Sequence, residues 1–530
     1  MSRKPALIKL AAALALVAAA PAPVRQPEAP IAVSIDAAHP GPPIERDIFG
    51  QFAEHLGAGI YGGIWVGRDS PIPNVRGIRS DVVAALRAIH VPNVRWPGGC
   101  FGDEYHWRNG IGPAAQRPVT LNSNWGGVTE PNAFGTEEYM DFLGQIGADA
   151  YVSVNIGSGT PREAAEWFEY MTSAQPTTLA KERAANGHPT PYRVKYLGLG
   201  NENWGCGGAM SADHYVEEMK RFAHFTRDFN PAQQSGDAAM KRIAVGWDAG
   251  SSDYTEAVMK AWHDKVWSWD IDGISLHSYT VGGWPPHLPS TGFGEDDYVK
   301  LLKETLGMDG LLARQTAVMD RYDPQKKLML AVDEWGAWLA PNPGSNPGFL
   351  QQQNSLRDAI LAALNLDIFI RHADRVRLAN VAQMINVLQA MILTDGPKMV
   401  LTPTYHVYRL YVPFQGATAI PVRFDAGTYR HGDASLPRVD AVAARDASGT
   451  LWLALTNVDP DQPAEIAPEI AGVRLRAATG EVLTAPRVDS VNSFAAPETV
   501  APKPISGTMR GGRLVLTLPP KSVTVVRLQQ

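Results

Sequence analysis

Hydrophobic and polar positions recur with two different periods along this chain, and each period predicts a different kind of element. Short apolar runs such as Tyr196–Leu199 and Asn93–Trp96 fit buried strands. Longer stretches in which apolar side chains return every three or four residues, such as 79–89 and 356–372, fit amphipathic helices. Counted from Ile48, the pattern contains eight strands, and most of them precede a helix. We therefore predict a (β/α)8 barrel, with a doubly wound sheet as the alternative.

The predicted barrel elements alternate along the sequence. The strands are 48–52, 93–96, 150–156, 196–199, 243–247, 273–277, 328–332 and a last one that begins at 376. The helices are 79–89, 136–146, 162–171, one that begins after the N-cap Ser211, 254–262, 297–319 and 356–372.

A second domain is predicted beyond about Gly396, where the helical period stops. Short alternating runs at 451–455, 514–518 and 523–528 are typical of an antiparallel β-sandwich. The isolated strand 32–35 precedes the barrel, and we expect it to complete this sandwich. The predicted division is a leader at 1–30, a sandwich strand segment at 31–45, the barrel at 46–395 and the sandwich at 396–530.

The first thirty residues resemble an export signal. Arg3, Lys4 and Lys9 precede the apolar run 10–20, and a Pro/Ala-rich stretch follows. This order predicts a signal peptide and a secreted protein, either periplasmic or extracellular. No later run approaches the ~18 apolar residues of a membrane span, so we expect no membrane partner.

Charge and motifs exclude two classes of partner. The net charge is −6 and there is no long basic run, so we expect no nucleic-acid partner. A GxGxxG pattern lies at 57–62, but Pro71 and Pro73 follow it in place of a helix, which argues against dinucleotide binding. The 14 Trp and 16 Tyr residues include faces that suit sugar rings, although most of them belong in a core.

Two glutamates follow or end predicted barrel strands. Glu202 comes at the end of the fourth strand and Glu334 at the end of the seventh, so both are expected at the same mouth of the barrel. Two carboxylates there suit glycoside hydrolysis, in which one acts as an acid and the other attacks the anomeric carbon. The alternative is that Glu202 is a buried partner in a structural salt bridge.

The motifs around these glutamates carry a family resemblance. WPGGCFGDEYHWRNGIGP, LGNEN, ISLHSY, VDEW, ANVAQMINV and FAEHLGAGIYGG together resemble glycoside hydrolase family 51, the α-L-arabinofuranosidases, over residues 48–415. The resemblance implies a barrel with a β-sandwich. It also implies release of terminal non-reducing α-L-arabinofuranosyl residues from arabinoxylan, arabinan or oligosaccharides, by a retaining double displacement.

The resemblance also assigns roles to single residues. It implies Glu202 as acid/base, Glu334 as nucleophile, Asn201 as ligand of the sugar 2-hydroxyl, Glu54 as a furanose-binding carboxylate, Arg95 beside the nucleophile, Tyr279 as hydrogen-bond donor to the nucleophile, Gln383 in the sugar pocket, and Trp125 and Trp204 as aromatic walls. Cys100 is expected to bind substrate as well, but it departs from the family, because many relatives carry Asn after PGG.

Several of these residues have a purely structural alternative. Arg95 could pair with some other buried acid, and Tyr279 and Trp125 could be packing residues. His55, His106 and His277 lie near strand ends, but HExxH is missing, so we expect them to orient carboxylates and expect no metal and no cofactor.

Two other functions remain open at this stage. One is a related glycosidase, namely a β-xylosidase, an endo-glucanase or a galactofuranosidase. The other is a non-catalytic carbohydrate-binding protein, and the presence of both Glu202 and Glu334 argues against it. Assembly into a homo-oligomer is also left open.

Cys100 and Cys206 are the two cysteines of the chain. Both follow catalytic strands, the second and the fourth, and secretion would place them in an oxidising compartment. We hypothesise a disulfide that stiffens the sugar pocket, and the alternative is two free, buried thiols.

Overall fold

The structure, a computed structural model, describes residues 29–247 and 250–529. Its centre is a closed barrel of eight parallel strands, which confirms the predicted barrel and excludes the doubly wound sheet. In chain order the barrel strands are Gly50–Phe52, Asn93–Trp96, Asp149–Val154, Tyr196–Leu199, Lys241–Ala244, Gly273–Thr280, Met329–Ala337 and Val376–Val381.

Helices connect most of the barrel strands and cover the outside of the barrel. They are Ser80–Ala88, Thr136–Ile146, Pro161–Thr172, Thr178–Ala185, Ala212–Phe225, Asp253–His263, Glu295–Tyr322, Leu356–Arg371 and Pro403–Tyr411. The helix after Glu202 begins as predicted, because the Ser211 side chain accepts a hydrogen bond from His214 N. Its residues Tyr215, Met219 and Phe222 are buried, which fixes the face that packs inward.

Two helices were not predicted. Thr178–Ala185 is short, and its charged residues obscure its apolar face. Pro403–Tyr411 lies in the region where the sequence analysis expected helices to end, so that expectation was wrong. Its first residue is a proline, which suits the first position of a helix.

The C-terminal region forms the predicted sandwich, and the N-terminal strand completes it. One sheet has the order Val422–Arg423, Ile31–Ile35, Ala464–Ile470, Arg513–Leu518 and Thr508–Arg510. The other has the order Thr418–Ile420, Val439–Arg445, Leu451–Asn457, Ser522–Gln529, Ala477–Leu483 and Lys503–Ser506. Ile31–Ile35 pairs in parallel with Ala464–Ile470, whereas the other pairings within these sheets are antiparallel. The exact domain boundaries stay a prediction.

Four two-stranded hairpins complete the described strands. They pair Asn74–Val75 with Ile78–Arg79, Thr120–Asn122 with Val128–Glu130, Ile392–Asp395 with Lys398–Leu401, and Thr428–His431 with Ala434–Pro437. The second hairpin matters most for the site, because it carries Trp125 in its loop. In the described part of the chain, none of the helices is long and apolar enough to cross a membrane.

Candidate active site

A small cavity opens at the carboxyl ends of the barrel strands, where catalytic residues of such barrels lie. Its volume is about 50 Å³. The lining residues come from the ends of six strands and from nearby loops, and they are Glu54, Leu56, Gly99, Cys100, Trp125, Asn201, Glu202, Tyr279, Glu334, Trp338, Leu350, Gln383 and Leu388. The structure therefore brings together eight of the ten residues that the sequence predicted for the site. Of the other two, Arg95 contacts Glu334 directly, and Trp204 lies elsewhere.

Glu334 is held by two strong donors. Arg95 Nη1 donates to Glu334 Oε1 at 2.6 Å, and Tyr279 Oη donates to Oε2 at 2.7 Å. Burial and the negative charge of Glu334 raise the pKa of Tyr279 far above its usual value, so the tyrosine keeps the proton that it donates. The Glu334 side chain is only 7% exposed. These contacts fix the position of its carboxylate.

Glu202 has a more open environment. Its side chain is 21% exposed, and its short contact is with His277 Nδ1, 2.8 Å from Oε1. Its backbone φ is +39°, in the left-handed region that non-glycine residues adopt uncommonly. One side-chain oxygen of Glu202 lies within 4.8 Å of one of Glu334, so the two carboxylates face the same small space.

His277 connects both carboxylates to Asp333. Its Nδ1 lies 3.5 Å from Glu334 Oε1 in addition to its contact with Glu202, and its Nε2 lies 3.3 Å from Asp333 Oδ1. Burial disfavours a charge on His277, but the surrounding Glu334, Asp333 and Glu202 outweigh it and raise its pKa to about 10. His277 is therefore an imidazolium at neutral pH, and it orients the carboxylates as the sequence analysis expected.

Asp333 was quoted in the VDEW motif but was not assigned a role. It is buried, it accepts a hydrogen bond from Tyr151 Oη at 2.6 Å, and its Oδ2 lies 3.5 Å from Arg95 Nε. Burial alone would raise its pKa, but Arg95 and His277 lower the pKa to about 2. Asp333 thus stays ionised and supplies the negative charge that holds the two cations beneath the site.

Glu54 also lines the cavity, and its carboxylate accepts four hydrogen bonds. Gly99 N, Phe101 N and Trp125 Nε1 donate to its Oε1 at 2.9, 3.1 and 2.8 Å, and Gln383 Nε2 donates to Oε2 at 2.9 Å. Burial and the charge of Glu334 nevertheless raise the Glu54 pKa to about 7. These hydrogen bonds hold the carboxylate of Glu54, the amide of Gln383 and the ring of Trp125 around the same cavity.

The glycines of the PGG motif are required by close approach. A Cβ on Gly98 would lie 2.7 Å from Glu54 Cγ, and one on Gly99 would lie 2.9 Å from Glu334 Oε1. Larger residues at either position would therefore push against a carboxylate of the site.

A disulfide and one buried acid join the loops around the cavity. Cys100 and Cys206 are bonded, with their Cα atoms 5.5 Å apart, which confirms the predicted pairing. Cys206 Sγ lies 3.8 Å from Glu202 Oε2. Asp103, which the sequence analysis did not single out, accepts hydrogen bonds from Ile156 N, Gly157 N and Asn201 N at 2.7, 2.8 and 2.9 Å. Burial raises its pKa to about 7 despite these donors.

Three predicted residues lie elsewhere. Trp204, expected as an aromatic wall, is partly buried against the main hydrophobic core and does not line the cavity. His55 pairs with the buried Glu130, and His106 pairs with Glu163 at the surface. Both histidines pair with acids other than the two catalytic candidates, and neither lines the cavity.

Within the described residues, two groups of side chains come close enough to share a metal ion, and both include Glu202. One group adds Cys100 and Cys206, whose sulfurs are already bonded to each other. The other adds His277 and Glu334. In this second group the atoms already bond to other partners: His277 Nδ1 lies 2.8 Å from Glu202 Oε1, and Glu334 accepts hydrogen bonds from Arg95 and Tyr279. The geometry suits acid–base chemistry between carboxylates.

Comparison with known proteins gives consistent matches. A family model described as the α-L-arabinofuranosidase 1 domain matches residues 85–305, and one described as the α-L-arabinofuranosidase C-terminal domain matches residues 333–522. The chain is 42% identical over 489 residues to an intracellular exo-α-L-arabinofuranosidase of Bacteroides ovatus, covering 92% of this chain and 93% of that protein. It is 30% identical over 507 residues to an intracellular exo-α-(1→5)-L-arabinofuranosidase of Streptomyces lividans, covering 91% and 72%. The crystal structure of the GH51 arabinofuranosidase from Xanthomonas axonopodis pv. citri superposes with a TM-score of 0.90 at 49% identity, covering 94% of this chain and all of that one (100%).

These relatives correct one prediction. Both curated relatives are named intracellular enzymes, so the predicted secretion to the periplasm or the medium was wrong. That prediction depended on a charged start and a short apolar run, which is a compositional pattern that does not require export. Of the predicted leader, residues 1–30, all but the last two residues lie outside the described residues.

Proposed function

The chain belongs to glycoside hydrolase family 51, the α-L-arabinofuranosidases, and from this premise we propose its substrate and mechanism. It is an exo-acting α-L-arabinofuranosidase. The proposed substrates are terminal non-reducing α-L-arabinofuranosyl residues of arabinoxylan, arabinan or their oligosaccharides. The proposed reaction is a double displacement with retention of the anomeric configuration.

The observation that carries the mechanism is the spacing of the two carboxylates. Retaining glycosidases hold their carboxyl groups about 5–5.5 Å apart, whereas inverting enzymes need ~6.5–9.5 Å to admit a water between them. Oxygens of Glu202 and Glu334 lie within 4.8 Å of each other, which supports direct attack by one carboxylate.

The environments of the two glutamates support their different roles. Glu334 is fixed by Arg95 and Tyr279, so one of its oxygens can attack the anomeric carbon as a nucleophile. Glu202 leaves its Oε2 unbound by His277, so this oxygen can carry the proton that the leaving oxygen takes up as the glycosidic bond breaks.

The second half of the reaction reverses these roles. Glu202, now without its proton, takes a proton from a water that attacks the glycosyl–enzyme bond, and Glu334 leaves as a carboxylate. Because Glu202 is three times more exposed than Glu334 (21% against 7%), it is the better placed of the two to receive water.

The remaining residues would hold one furanose ring. Glu54 and Gln383 offer an acceptor and a donor to hydroxyl groups, and Trp125 offers an apolar face. Asn201 Oδ1 accepts a hydrogen bond from Arg95 Nη2 at 2.6 Å, and the amide nitrogen Nδ2 of Asn201 lies 3.7 Å from Cys206 Sγ. At about 50 Å³ the cavity is far smaller than the ~300–1,000 Å³ pockets that hold drug-sized ligands, which supports removal of single terminal residues.

The linkage is part of the proposal. The Streptomyces lividans relative is named for the α-(1→5) bond, and we propose that this chain cleaves the same bond in linear arabino-oligosaccharides.

A panel of nitrophenyl glycosides tests the proposed function. The α-L-arabinofuranoside should be the preferred substrate over the β-D-xyloside, the β-D-galactofuranoside and the β-D-glucoside. Preference for the xyloside or the galactofuranoside, or cleavage in the interior of a glucan, would assign one of the rival glycosidase activities. Binding of arabinose without turnover of any glycoside would leave only a carbohydrate-binding protein.

A further inference from the structure

Trp284 exposes a large aromatic ring at the mouth of the barrel. It lies between the sixth barrel strand, Gly273–Thr280, and the helix Glu295–Tyr322. The connection that follows a barrel strand lies on the catalytic face. The residue is 74% exposed. An isolated exposed apolar residue would be ordinary, so its meaning depends on what its ring contacts.

Aromatic rings form a continuous path from the nucleophile to Trp284. Tyr279, which donates to Glu334, packs edge-to-face on Trp338 with ring centroids 5.2 Å apart. Trp338 lines the cavity and packs edge-to-face on Trp284 at 5.6 Å. The path therefore begins inside the sugar cavity and ends on a face that is open to solvent.

The loop that carries Trp284 is tied down on both sides of this residue. Val281 N and Gly282 N donate to the Glu304 carboxylate at 2.8 and 2.7 Å. Ala340 N donates to Leu288 O at 3.0 Å, which attaches the loop to the segment after the seventh strand. A ring displayed on an anchored loop binds a ligand with little further loss of conformational freedom.

We propose that Trp284 is a binding platform for the leaving group, at the second sugar beyond the bond that is cleaved. This inference rests on the proposed function, because an enzyme that removes terminal residues places the rest of its substrate outside the cavity. The first leaving-group sugar would lie near Trp338 and the second on the exposed face of Trp284. The ligand class is an oligosaccharide leaving group of at least two sugars, bound through apolar faces of its rings.

Chain-length dependence tests this platform. The substrates are linear α-(1→5)-arabinobiose, which has one leaving-group sugar, and arabinotriose, which has two, with nitrophenyl α-L-arabinofuranoside as the short reference. In the unaltered enzyme, kcat/KM should rise from the disaccharide to the trisaccharide. Trp284→Ala should lower kcat/KM for the trisaccharide roughly three- to tenfold and remove that rise, because one aromatic contact is lost. Trp284→Ala should leave kcat/KM for the disaccharide and the nitrophenyl substrate within about twofold of the unaltered enzyme. Trp284→Phe should keep most of the preference for the trisaccharide.

Trp267→Ala is the matched control. Trp267 is 76% exposed, but it precedes the sixth barrel strand and therefore lies toward the opposite end of the barrel. Trp267→Ala should leave kcat/KM unchanged for all three substrates. An equal loss on all three substrates in Trp284→Ala, or an unchanged rise from disaccharide to trisaccharide, would overturn the platform. If the unaltered enzyme cleaves none of the arabinofuranosides, the proposed function fails instead, so the two failures are distinguishable.

Discussion

Arg95 and Glu334 form a direct ion pair inside the barrel, with Arg95 Nη1 2.6 Å from Glu334 Oε1. The other terminal nitrogen of Arg95 donates to Asn201 Oδ1 at 2.6 Å. One planar guanidinium therefore fixes the carboxylate of Glu334, in the seventh barrel strand, relative to Asn201, the residue beside Glu202. The structural alternative for Arg95, a pairing with some unrelated acid, does not describe these contacts.

Arg95→Lys tests the fork geometry of this guanidinium. Lysine keeps the positive charge but cannot reach Glu334 and Asn201 together in one plane. We expect kcat to fall about 10²-fold, comparable to the loss of one preorganised donor, with a smaller change in KM. Circular dichroism and thermal unfolding provide the control for folding. Full activity in a folded Arg95→Lys enzyme would show that the charge alone suffices.

The two glutamates should respond differently to removal. Glu334→Ala should lower kcat about 10⁴-fold or more on every substrate, because no glycosyl–enzyme can form. Glu202→Ala should lose about 10²–10⁴-fold on substrates with poor leaving groups and much less on a dinitrophenyl glycoside. Added azide should restore part of the Glu202→Ala rate by intercepting the glycosyl–enzyme. If azide does not raise the rate of Glu202→Ala, and this variant loses the same activity on substrates with good and poor leaving groups, Glu202 is not the acid/base.

The disulfide makes a separate prediction about reduction. Cys100 lines the cavity and Cys206 contacts the carboxylate of Glu202, so the bond links two walls of the pocket. A dithiol reductant should lower kcat/KM at temperatures below the midpoint of thermal unfolding, where the reduced protein is still folded. The reason is that the loops around Glu202 lose a restraint. Peptide mapping without reduction shows whether the bond is present. Two alkylatable thiols in denatured, unreduced protein would contradict it.

His277 gives the stability a defined pH dependence. Its pKa is raised from about 6.5 in the unfolded chain to about 10 in the folded protein, where Glu202, Asp333 and Glu334 face it. A raised pKa in the folded state means that the stabilisation is complete below about pH 6.5 and is lost as the pH rises through about 10. The gap in unfolding temperature between the unaltered protein and His277→Gln should therefore be larger near pH 6 than above pH 10. A gap that stays constant or widens at alkaline pH would mean that His277 is not charged in the folded protein.

The sequence predicted the barrel well, because each barrel strand and helix buries apolar residues, and these residues recur along the sequence with the period of that element. It also placed Glu202 and Glu334 at one mouth, because parallel strands share their direction. It did not predict a role for Asp333. Successive residues of a regular strand point to opposite faces, but the pairing register shifts between Val332 and Trp335, and this irregularity brings Asp333 and Glu334 to the same site.

Loops were the other limit of prediction from the sequence. Asp103 accepts three backbone donors from two further loops, and no periodic pattern reports such contacts. Trp204 and Trp125 looked alike as candidates for aromatic walls, yet only Trp125 lines the cavity. In a segment without regular structure the direction of a side chain depends on its tertiary contacts, which a local pattern does not contain.

The central claim is that Glu202 and Glu334, with oxygens within 4.8 Å, carry out a double displacement on an α-L-arabinofuranoside. Proton NMR of the first sugar released from nitrophenyl α-L-arabinofuranoside, recorded before the anomers equilibrate, tests this claim most directly. We predict that α-L-arabinofuranose forms first. A first product with the β configuration would contradict the account.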